Sequence, residues 1–421
     1  MNLKDRLALL SKQGGALGGE GARAAEFATA STTAERLQRL LDQSTRCEKA
    51  RRKVDDDAAN LLGGSVIAAG VVVVERFFFP DYIHGGEPVA TLFEAPLHVL
   101  NDGQPVRPWD LLFLDTETTG LAGGTGTLPF VLGLARPEPE GLRLRQYFLT
   151  GFTGEAAMLD HARTWLDECS HLVTFNGKCF DVPLLTTRYR LMRLATPLQT
   201  KGHLDLLHPT RAAFANRWPD CRLQTAEQRL LGFVRANDLG GHLIPAVWTD
   251  FVRLGRADEV PRVLEHNRWD LVSLAGLLSR LAVVFSGSGH EDADPRAVAR
   301  HRLRRGDEAG ALLELAAHSL SLGVTGLLEL AQLYRRRGDW ERAVPIWEDL
   351  AGQGVAEALE RLAKYHEHVR GDIPAALSLA DRLLARQGAR PEHVRRRQRL
   401  LGQVRRASPV FQQEASAKLV S

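Results

Sequence analysis

A chain of 421 residues is longer than one ordinary domain, and its length predicts two or three domains. Hydrophobic residues at 44% and charged residues at 25% are the proportions of a soluble globular protein. The net charge of +3 is nearly neutral for this length, so the overall charge indicates no class of partner.

Cysteine usage and apolar runs indicate the cellular context. The four cysteines have no paired spacing, which argues against a disulfide framework and a thiolate zinc site and favours a reducing cytoplasm. No secretory signal is visible. The most apolar run, residues 65–74, has about half of the ~20 residues that a membrane helix needs, and its valines indicate one or two buried strands. We therefore expect a cytoplasmic protein with no membrane partner.

The first zone, residues 1–60, is rich in alanine, glycine and charge, and is predicted to be a partly flexible N-terminal extension. Residues 14–33 have the composition of a flexible linker. A short helix is predicted to follow at residues 34–41.

The second zone, residues 61–288, alternates strand-like and helix-like segments. Three strands come first, then a helix, a fourth strand and a helix with Pro183 in its first turn, a favoured position. A long helix from about residue 260 to 284 ends the zone. This order predicts an α/β sheet with helices packed on its faces. The four strands are predicted at residues 111–114, 130–135, 142–149 and 171–175.

The third zone, residues 297–406, has helical periodicity and a repeat, and residues 407–421 are predicted to be a flexible tail. Glycines of three Arg-Gly-Asp sequences are spaced by 32 and 33 residues, and each is followed by an alanine, at Ala311, Ala343 and Ala376. The glycine would permit a tight turn between helices and the alanine close packing. The pattern resembles tetratricopeptide repeats, which commonly bind partners, and a generic helical bundle is the alternative.

The first chemical motif is LDTETTGL at residues 114–121. Residues two apart on a strand point to the same face, so Asp115 and Glu117 project together from the end of a hydrophobic strand. Two carboxylates so close repel each other unless cations neutralise them, and hard oxygen ligands suit Mg²⁺ or Mn²⁺. Two solvated acids at a strand edge are the alternative.

Two further motifs place acids elsewhere in the second zone. FNGKCFD, residues 175–181, ends in Asp181, which is either a site residue or the cap of the following helix. HNRWD, residues 266–270, places His266 and Asp270 four apart on one helix face. That face continues through leucines, so a carboxylate there needs a cation or a donor, unless it forms a partly exposed pair with His266.

Together these motifs resemble the DEDD superfamily of exonucleases, which share the ribonuclease H-like fold, a mixed sheet flanked by helices. The match is closest to its YprB-type branch and extends over roughly residues 65–285. The resemblance implies that Asp115, Glu117, Asp181 and Asp270 hold two Mg²⁺ or Mn²⁺ ions and that the protein is a 3′→5′ exonuclease.

Position 266 departs from the superfamily's pattern. His266 stands four residues before Asp270, where one branch has tyrosine, and it would either handle the attacking water or hold Asp270. Around the site, Asp205 is expected to assist metal binding or to bind backbone groups. Asn176 is either a supporting residue or only part of a turn.

Nucleic acid is the expected partner, and DNA and RNA are equally compatible with the sequence. The candidate contacts are Thr118, Gly120, Leu121, Asn176, Arg188 and Arg268. Further arginines, at 190 and 262 and between 390 and 406, would bind phosphates or form a solvated helix face. A protein that binds nucleic acid without cleaving it, or a scaffold that holds a protein partner through the repeats, are the alternative functions.

Overall fold

The first described element is a long helix, which differs from the prediction. The computed structural model describes residues 20–120, 126–288, 290–388 and 390–407, with side chains from residue 36 onward except at 288 and 407. Helix α1 (Glu20–Leu62) occupies the segment predicted as linker and short helix, so the linker prediction is wrong for residues 20–33. The glycines lie mostly before residue 20, and alanine, the strongest helix former, dominates after it. Residues 14–19 lie outside the described chain.

The C-terminal end of α1 is part of the domain core. Ala58, Ala59 and Leu62 are buried against the sheet. The Asp55 carboxylate, 4% exposed, accepts hydrogen bonds from the Gly70 backbone N–H and the Thr150 hydroxyl. The core therefore begins before residue 61, because α1 contributes both apolar area and a buried polar anchor.

A mixed sheet of seven strands forms the centre of the described second zone, beside a separate two-stranded ladder. The strands are β1 (Ser65–Ala68), β2 (Val71–Phe78), β3 (Ile83–His84), β4 (Glu87–Pro88), β5 (Leu111–Thr118), β6 (Pro129–Glu138), β7 (Gly141–Leu149), β8 (His171–Thr174) and β9 (Gly202–Asp205). The order in the sheet is β1-β2-β7-β6-β5-β8-β9, and β3 pairs with β4 in the ladder. In the sheet, neighbouring strands are antiparallel from β1 across to β5, whereas β5, β8 and β9 are parallel.

Helices cover both faces of this sheet, as the sequence predicts. Along β5, Leu112 and Leu114 join the buried cluster on one face, and Leu111 and Phe113 join the cluster on the other, which includes most of the buried apolar residues of helix α8 (Val260–Val283). Strand alternation therefore directs Asp115, the next odd-numbered residue, towards α8. The helices are α2 (Thr91–Glu94), α3 (Glu155–Glu168), α4 (Asp181–Leu191), α5 (Leu207–Phe214), α6 (Leu223–Ala226), α7 (Ile244–Leu254) and α8 (Val260–Val283).

Helix α8 is the central helix of the domain. In the described chain, the segment Val260–Gly287 is long and apolar enough to cross a membrane, yet 72% of its most apolar window is buried inside the protein. This burial is that of a core helix, because apolar residues on all sides of α8 contact other parts of the same domain.

The described part of the third zone is entirely helical. The helices are α9 (Pro295–Arg304), α10 (Glu308–Ala317), α11 (Val324–Arg336), α12 (Trp340–Gly352), α13 (Ala356–Tyr365), α14 (Ile373–Gln387) and α15 (Pro391–Ala407). Consecutive helices contact each other, and most of their buried apolar residues form two clusters separate from those of the sheet. The prediction of a helical region is confirmed, while its assignment to tetratricopeptide repeats stays a prediction.

The Arg-Gly-Asp repeats have a structural explanation. Gly306, Gly338 and Gly371 have positive φ angles of 79°, 73° and 69°, which glycine adopts without steric cost. The aspartate after each glycine caps the next helix by accepting a backbone N–H, from Gly310, Arg342 and Ala375. Ala311, Ala343 and Ala376 are fully buried. Each repeat therefore encodes a turn, a helix cap and a close helix contact.

We expect Asp55→Ala to loosen the attachment of α1 to the sheet. The substitution leaves the buried Gly70 N–H and Thr150 hydroxyl without an acceptor, which costs about 1–3 kcal/mol. Hydrogen exchange at residues 58–62 should show a free energy of opening lower by that amount. The exposed neighbour Asp56→Ala is the matched control, and equal protection in the two variants would contradict the anchoring role.

Candidate functional site

The end of β5 brings two carboxylates towards a third. Asp115 and Glu117 lie on the strand face that packs against α8, and Asp270 projects from that helix. Glu117 and Asp270 are 9% and 7% exposed. Burial, followed by the charges of Asp270 and Asp181, raises the pKa of Asp115 well above its usual range. Burial and the charge of Asp115 do the same to the pKa of Glu117.

Asp181 reaches the same group from the first turn of α4. Its Oδ1 accepts a hydrogen bond of 2.5 Å from Thr116 Oγ1, on the strand residue between the two acids of β5. The residue before the helix is Phe180, which makes no side-chain cap, so Asp181 is the first helical residue and not its cap. Burial raises the pKa of Asp181 to about 6. The structure therefore brings together the four acids that the sequence singled out.

His266 faces two of these acids from one turn before Asp270. Its Nε2 lies 3.9 Å from Glu117 Oε1 and 3.6 Å from Asp270 Oδ2. Its Nδ1 lies 2.7 Å from Asp238 Oδ1. Ligand atoms of Glu117, His266 and Asp270 all lie within 4.8 Å of one another, a spacing that can hold a metal ion. The histidine thus belongs to the acidic cluster, and Asp238 is its partner on the other side.

Asn267, which the sequence analysis did not single out, orients Asp115. Its Nδ2 donates a hydrogen bond of 2.7 Å to Asp115 Oδ2, and its Oδ1 accepts one of 2.8 Å from Gln146. Asp115, Gly133 and Gln146 are paired side by side across β5, β6 and β7. A Cβ at Gly133 would lie 2.2 Å from Asn267 Oδ1, so only glycine lets the asparagine lie over the sheet there.

Arg235 is the second functional candidate that the sequence analysis missed. Its side chain is 5% exposed and pairs with three acids, Glu227 at 2.6 Å, Asp238 at 3.4 Å and Asp270. Asp270 is also an acid of the site, so Arg235 offsets part of the negative charge there. Glu227 and Asp270 are distant from Arg235 in the sequence, and Asp238 is near it but belongs to no motif. No local pattern therefore indicates these ion pairs.

Asp205 and Asn176 shape the turn that precedes Asp181. Asp205 accepts hydrogen bonds from the backbone N–H groups of Asn176 at 2.7 Å and Lys178 at 3.0 Å, and from that of Leu207 at 3.2 Å. Asn176 has a positive φ of 69°, which asparagine tolerates better than most residues. Of the two roles expected for Asp205, the structure has the binding of backbone groups.

Arg188 is not positioned as expected for a nucleic-acid contact. Its guanidinium forms a buried ion pair with both carboxylate oxygens of Glu155, which links α4 to α3. The buried ion pair serves packing, and the expected nucleic-acid contact of Arg188 stays a prediction. Arg268 pairs with Glu265 at 2.7 Å and lines a cavity of about 210 Å³ whose lining includes none of the four acids.

The other expected contacts divide into three groups. Thr118 and Gly120 follow the acids of β5 directly, and the Thr118 hydroxyl donates to the Gly120 carbonyl at 2.9 Å. Leu121 lies outside the described residues, as do most of the glycine-rich loop 122–127 and the tail from residue 408. Three arginines of α15 form ion pairs with Glu367 or Asp381, which reduces their capacity to bind phosphates; they are Arg396, Arg397 and Arg399.

The comparisons with known proteins agree with this fold. A family model described as RNase_H superfamily matches residues 112–282, from β5 into α8. The chain is similar to the YprB protein of Bacillus subtilis (strain 168), with 34% identity over 287 residues that cover 66% of this chain and 69% of that protein.

A solved structure is similar at a much lower level. It is the family B DNA polymerase of the hyperthermophilic archaeon Pyrobaculum calidifontis, with a TM-score of 0.34 and 13% identity. The alignment covers 68% of this chain but only 35% of the polymerase, so it carries no argument about function. The sequence match and the family model suffice: the chain belongs to the RNase H superfamily, in the family of the YprB protein, and has an RNase H-like nuclease fold.

Proposed function

We propose that this protein hydrolyses phosphodiester bonds of DNA or RNA with two Mg²⁺ or Mn²⁺ ions held by Asp115, Glu117, Asp181 and Asp270. The observation that carries the proposal is the approach of Glu117, His266 and Asp270, whose ligand atoms lie within 4.8 Å of one another at the end of β5. The proposal also rests on the RNase H-like fold, in which β5 and α8 supply three of the four acids.

The donor set fits divalent ions. The four acids offer only oxygen atoms, which are the ligands that Mg²⁺ and Mn²⁺ prefer. Arg235 forms an ion pair with one of the four, Asp270, and is shared with Glu227 and Asp238, so the acids carry excess negative charge. Bound ions would neutralise that charge and supply the Lewis acidity for phosphodiester hydrolysis.

His266 is proposed to accept a proton from the attacking water. With Nδ1–H donating to Asp238 at 2.7 Å, the Nε2 lone pair points towards Glu117 and Asp270. A hydrogen bond at one ring nitrogen fixes which nitrogen is free to act as a base. Asn267 holds the Asp115 carboxylate in one orientation through Oδ2, so the acid at the centre of the cluster does not need to reorganise when substrate binds.

Removal of nucleotides from a 3′ end is the proposed mode of action, and it rests on the resemblance to DEDD exonucleases. Exposed groups beside Asp181 are suited to a nucleic-acid strand. Phe180 is 55% exposed directly before the acid, and Lys178 is exposed in the same turn. An aromatic ring can stack on a base, and an ammonium group can pair with a phosphate.

We expect Asp115→Asn to abolish cleavage of end-labelled single- and double-stranded DNA and RNA in Mg²⁺ or Mn²⁺. The loss should exceed the about 10–100-fold that an outer-sphere partner of a metal ligand contributes. Wild-type protein should produce a ladder that shortens from the 3′ end.

Asp258→Asn, at an exposed carboxylate outside the site, is the matched control and should cleave like wild type. Circular dichroism of both variants should match that of wild type. Undiminished cleavage by Asp115→Asn would refute the proposal, and a single internal cut without a ladder would refute the exonuclease assignment.

We expect Mn²⁺ to raise the thermal midpoint of unfolding more at about pH 8 than at about pH 5. In the metal-free protein, the pKa values of Asp115, Glu117 and Asp181 are raised, so the folded state holds protons that the unfolded state has released. The contribution of these three acids to the stability of the metal-free protein therefore falls as the pH rises from about 4 through the pKa of Asp181, about 6. An ion must displace these protons, so acid weakens its binding.

Differential scanning fluorimetry with and without Mn²⁺ measures this effect. Asp181→Asn should raise the metal-free midpoint at about pH 8 relative to that at about pH 5, and it should reduce the shift that Mn²⁺ causes. A shift of equal size at both pH values would show that the ion binds elsewhere.

A further inference from the structure

A second cavity lies where the nuclease fold meets the first helix of the third zone. It has a volume of about 350 Å³, at the lower end of the range for small-molecule sites. Strand β9, helix α5 and the loop around residue 101 form its walls on one side, and α9 forms the other. Its basic and imidazole groups are those of Lys178, His203, His208, His301 and Arg304, and its other polar groups are those of Asn101, Asp102 and Asp205.

This cavity shares a turn with the candidate metal site. Lys178 lines the cavity and lies three residues before Asp181. Asp205, which also lines the cavity, holds that turn through the backbone N–H groups of Asn176 and Lys178. Three residues of chain therefore separate Lys178 at the cavity from Asp181 at the acids.

The lining has two cations, Lys178 and Arg304, and two carboxylates, Asp102 and Asp205, of which Asp205 already accepts three backbone N–H groups. Lys178, His208 and Arg304 are exposed, and no carboxylate among the described residues forms an ion pair with any of them. Other arginines nearby are paired: both Arg296 and Arg300 bind Glu329. Burial lowers the pKa of His203 to about 4, so its ring is a neutral group that shares a hydrogen bond with Thr174. An anion would give Lys178 and Arg304 the ion-pair partner that neither has among the described residues.

Arg304 is held in place although it belongs to the helical region. The start of α9 is fixed by a hydrogen bond of 2.7 Å from the Asp294 backbone N–H to the Ala213 carbonyl. Val298 is buried in the same apolar cluster as α8, and His301 bonds to the Val99 carbonyl. A cation on a fixed helix binds a phosphate with less loss of conformational entropy than one on a free side chain of a linker.

We propose that this cavity binds one nucleotide of the substrate strand away from the scissile bond, with its phosphate between Lys178 and Arg304. The proposal rests on the proposed nuclease function. Leu100, Pro209 and Phe285 supply apolar wall for a sugar or base, while the cations face the phosphate. The first helix of the third zone would thereby contribute directly to substrate binding.

Binding in EDTA tests the proposal independently of cleavage. The probe is a 20-nucleotide single strand of DNA or RNA with a 5′ fluorescent label, followed by fluorescence anisotropy. Arg304→Ala and Lys178→Ala should each raise Kd about ten-fold. Each should also lower the slope of log Kd against log salt concentration by about one, which is the contribution of one phosphate contact. Arg304→Lys, which keeps the charge, should recover part of the affinity.

Arg337→Ala is the matched control, because it removes another exposed, unpaired arginine of the described helical region and should leave Kd unchanged. An unchanged Kd for both Arg304→Ala and Lys178→Ala would overturn the proposal. A second contradicting result is an Arg304→Ala variant that binds a mononucleotide more weakly than wild type but binds the strand equally well. The cavity would then bind free nucleotides and not the substrate strand.

The two proposals fail in different ways. If wild-type protein cleaves the labelled strand in Mn²⁺ and the cavity variants have an unchanged Kd, only the cavity proposal is overturned. Wild-type protein without cleavage, with cavity variants of raised Kd, would overturn only the nuclease function.

Discussion

Repulsion between buried carboxylates is the constraint on which the rest of the site depends. Asp115, Glu117 and Asp270 lie together at the end of a hydrophobic strand, and each of the first two has its pKa raised by burial and by the other acids. A fold gains nothing from such a cluster unless cations or donors offset it. The described residues offset it in part, through Arg235 on Asp270 and Asn267 on Asp115. The charge that remains is the physical basis of the proposed metal binding.

The packing of α8 on the sheet makes this arrangement geometrically feasible. Gly133 lies next to Asp115 in the ladder, and its missing side chain leaves room for Asn267 to cross β6 and reach the acid. The same helix turn presents His266 and Asp270, while its apolar residues fill the core further along. One helix thus couples the stability of the domain to the orientation of three polar groups of the site.

Local periodicity is sufficient to predict which site residues lie side by side when they belong to one strand or helix. The two-residue period of β5 placed Asp115 and Glu117 on one face, and the four-residue spacing in α8 placed His266 beside Asp270. Asn267 is adjacent to that motif, but its role depends on Gly133 and Gln146 of other strands, which no helix pattern contains. Arg235 and Asp238 contact the site only through the tertiary fold.

For two residues, Asp181 and Asp205, hydrogen bonds in the structure decide between the roles that the sequence leaves open. Asp181 accepts a hydrogen bond from Thr116 of β5, which places it beside the acids of that strand. The carboxylate oxygens of Asp205 accept hydrogen bonds from the backbone of the turn. The partner of Arg188 is Glu155 on another helix, which no local pattern indicates. In α1, the helix propensity of alanine outweighed a glycine-rich start.

The central claim is that the acids around the end of β5 hold divalent ions. The most direct measurement is the anomalous diffraction of crystals grown with Mn²⁺. The account predicts anomalous peaks in contact with Asp115, Glu117 and Asp270, with the ion pair between Arg235 and Asp270 weakened or retained on one oxygen only. Crystals that bind Mn²⁺ at other positions, with no peak among these three carboxylates, would contradict it.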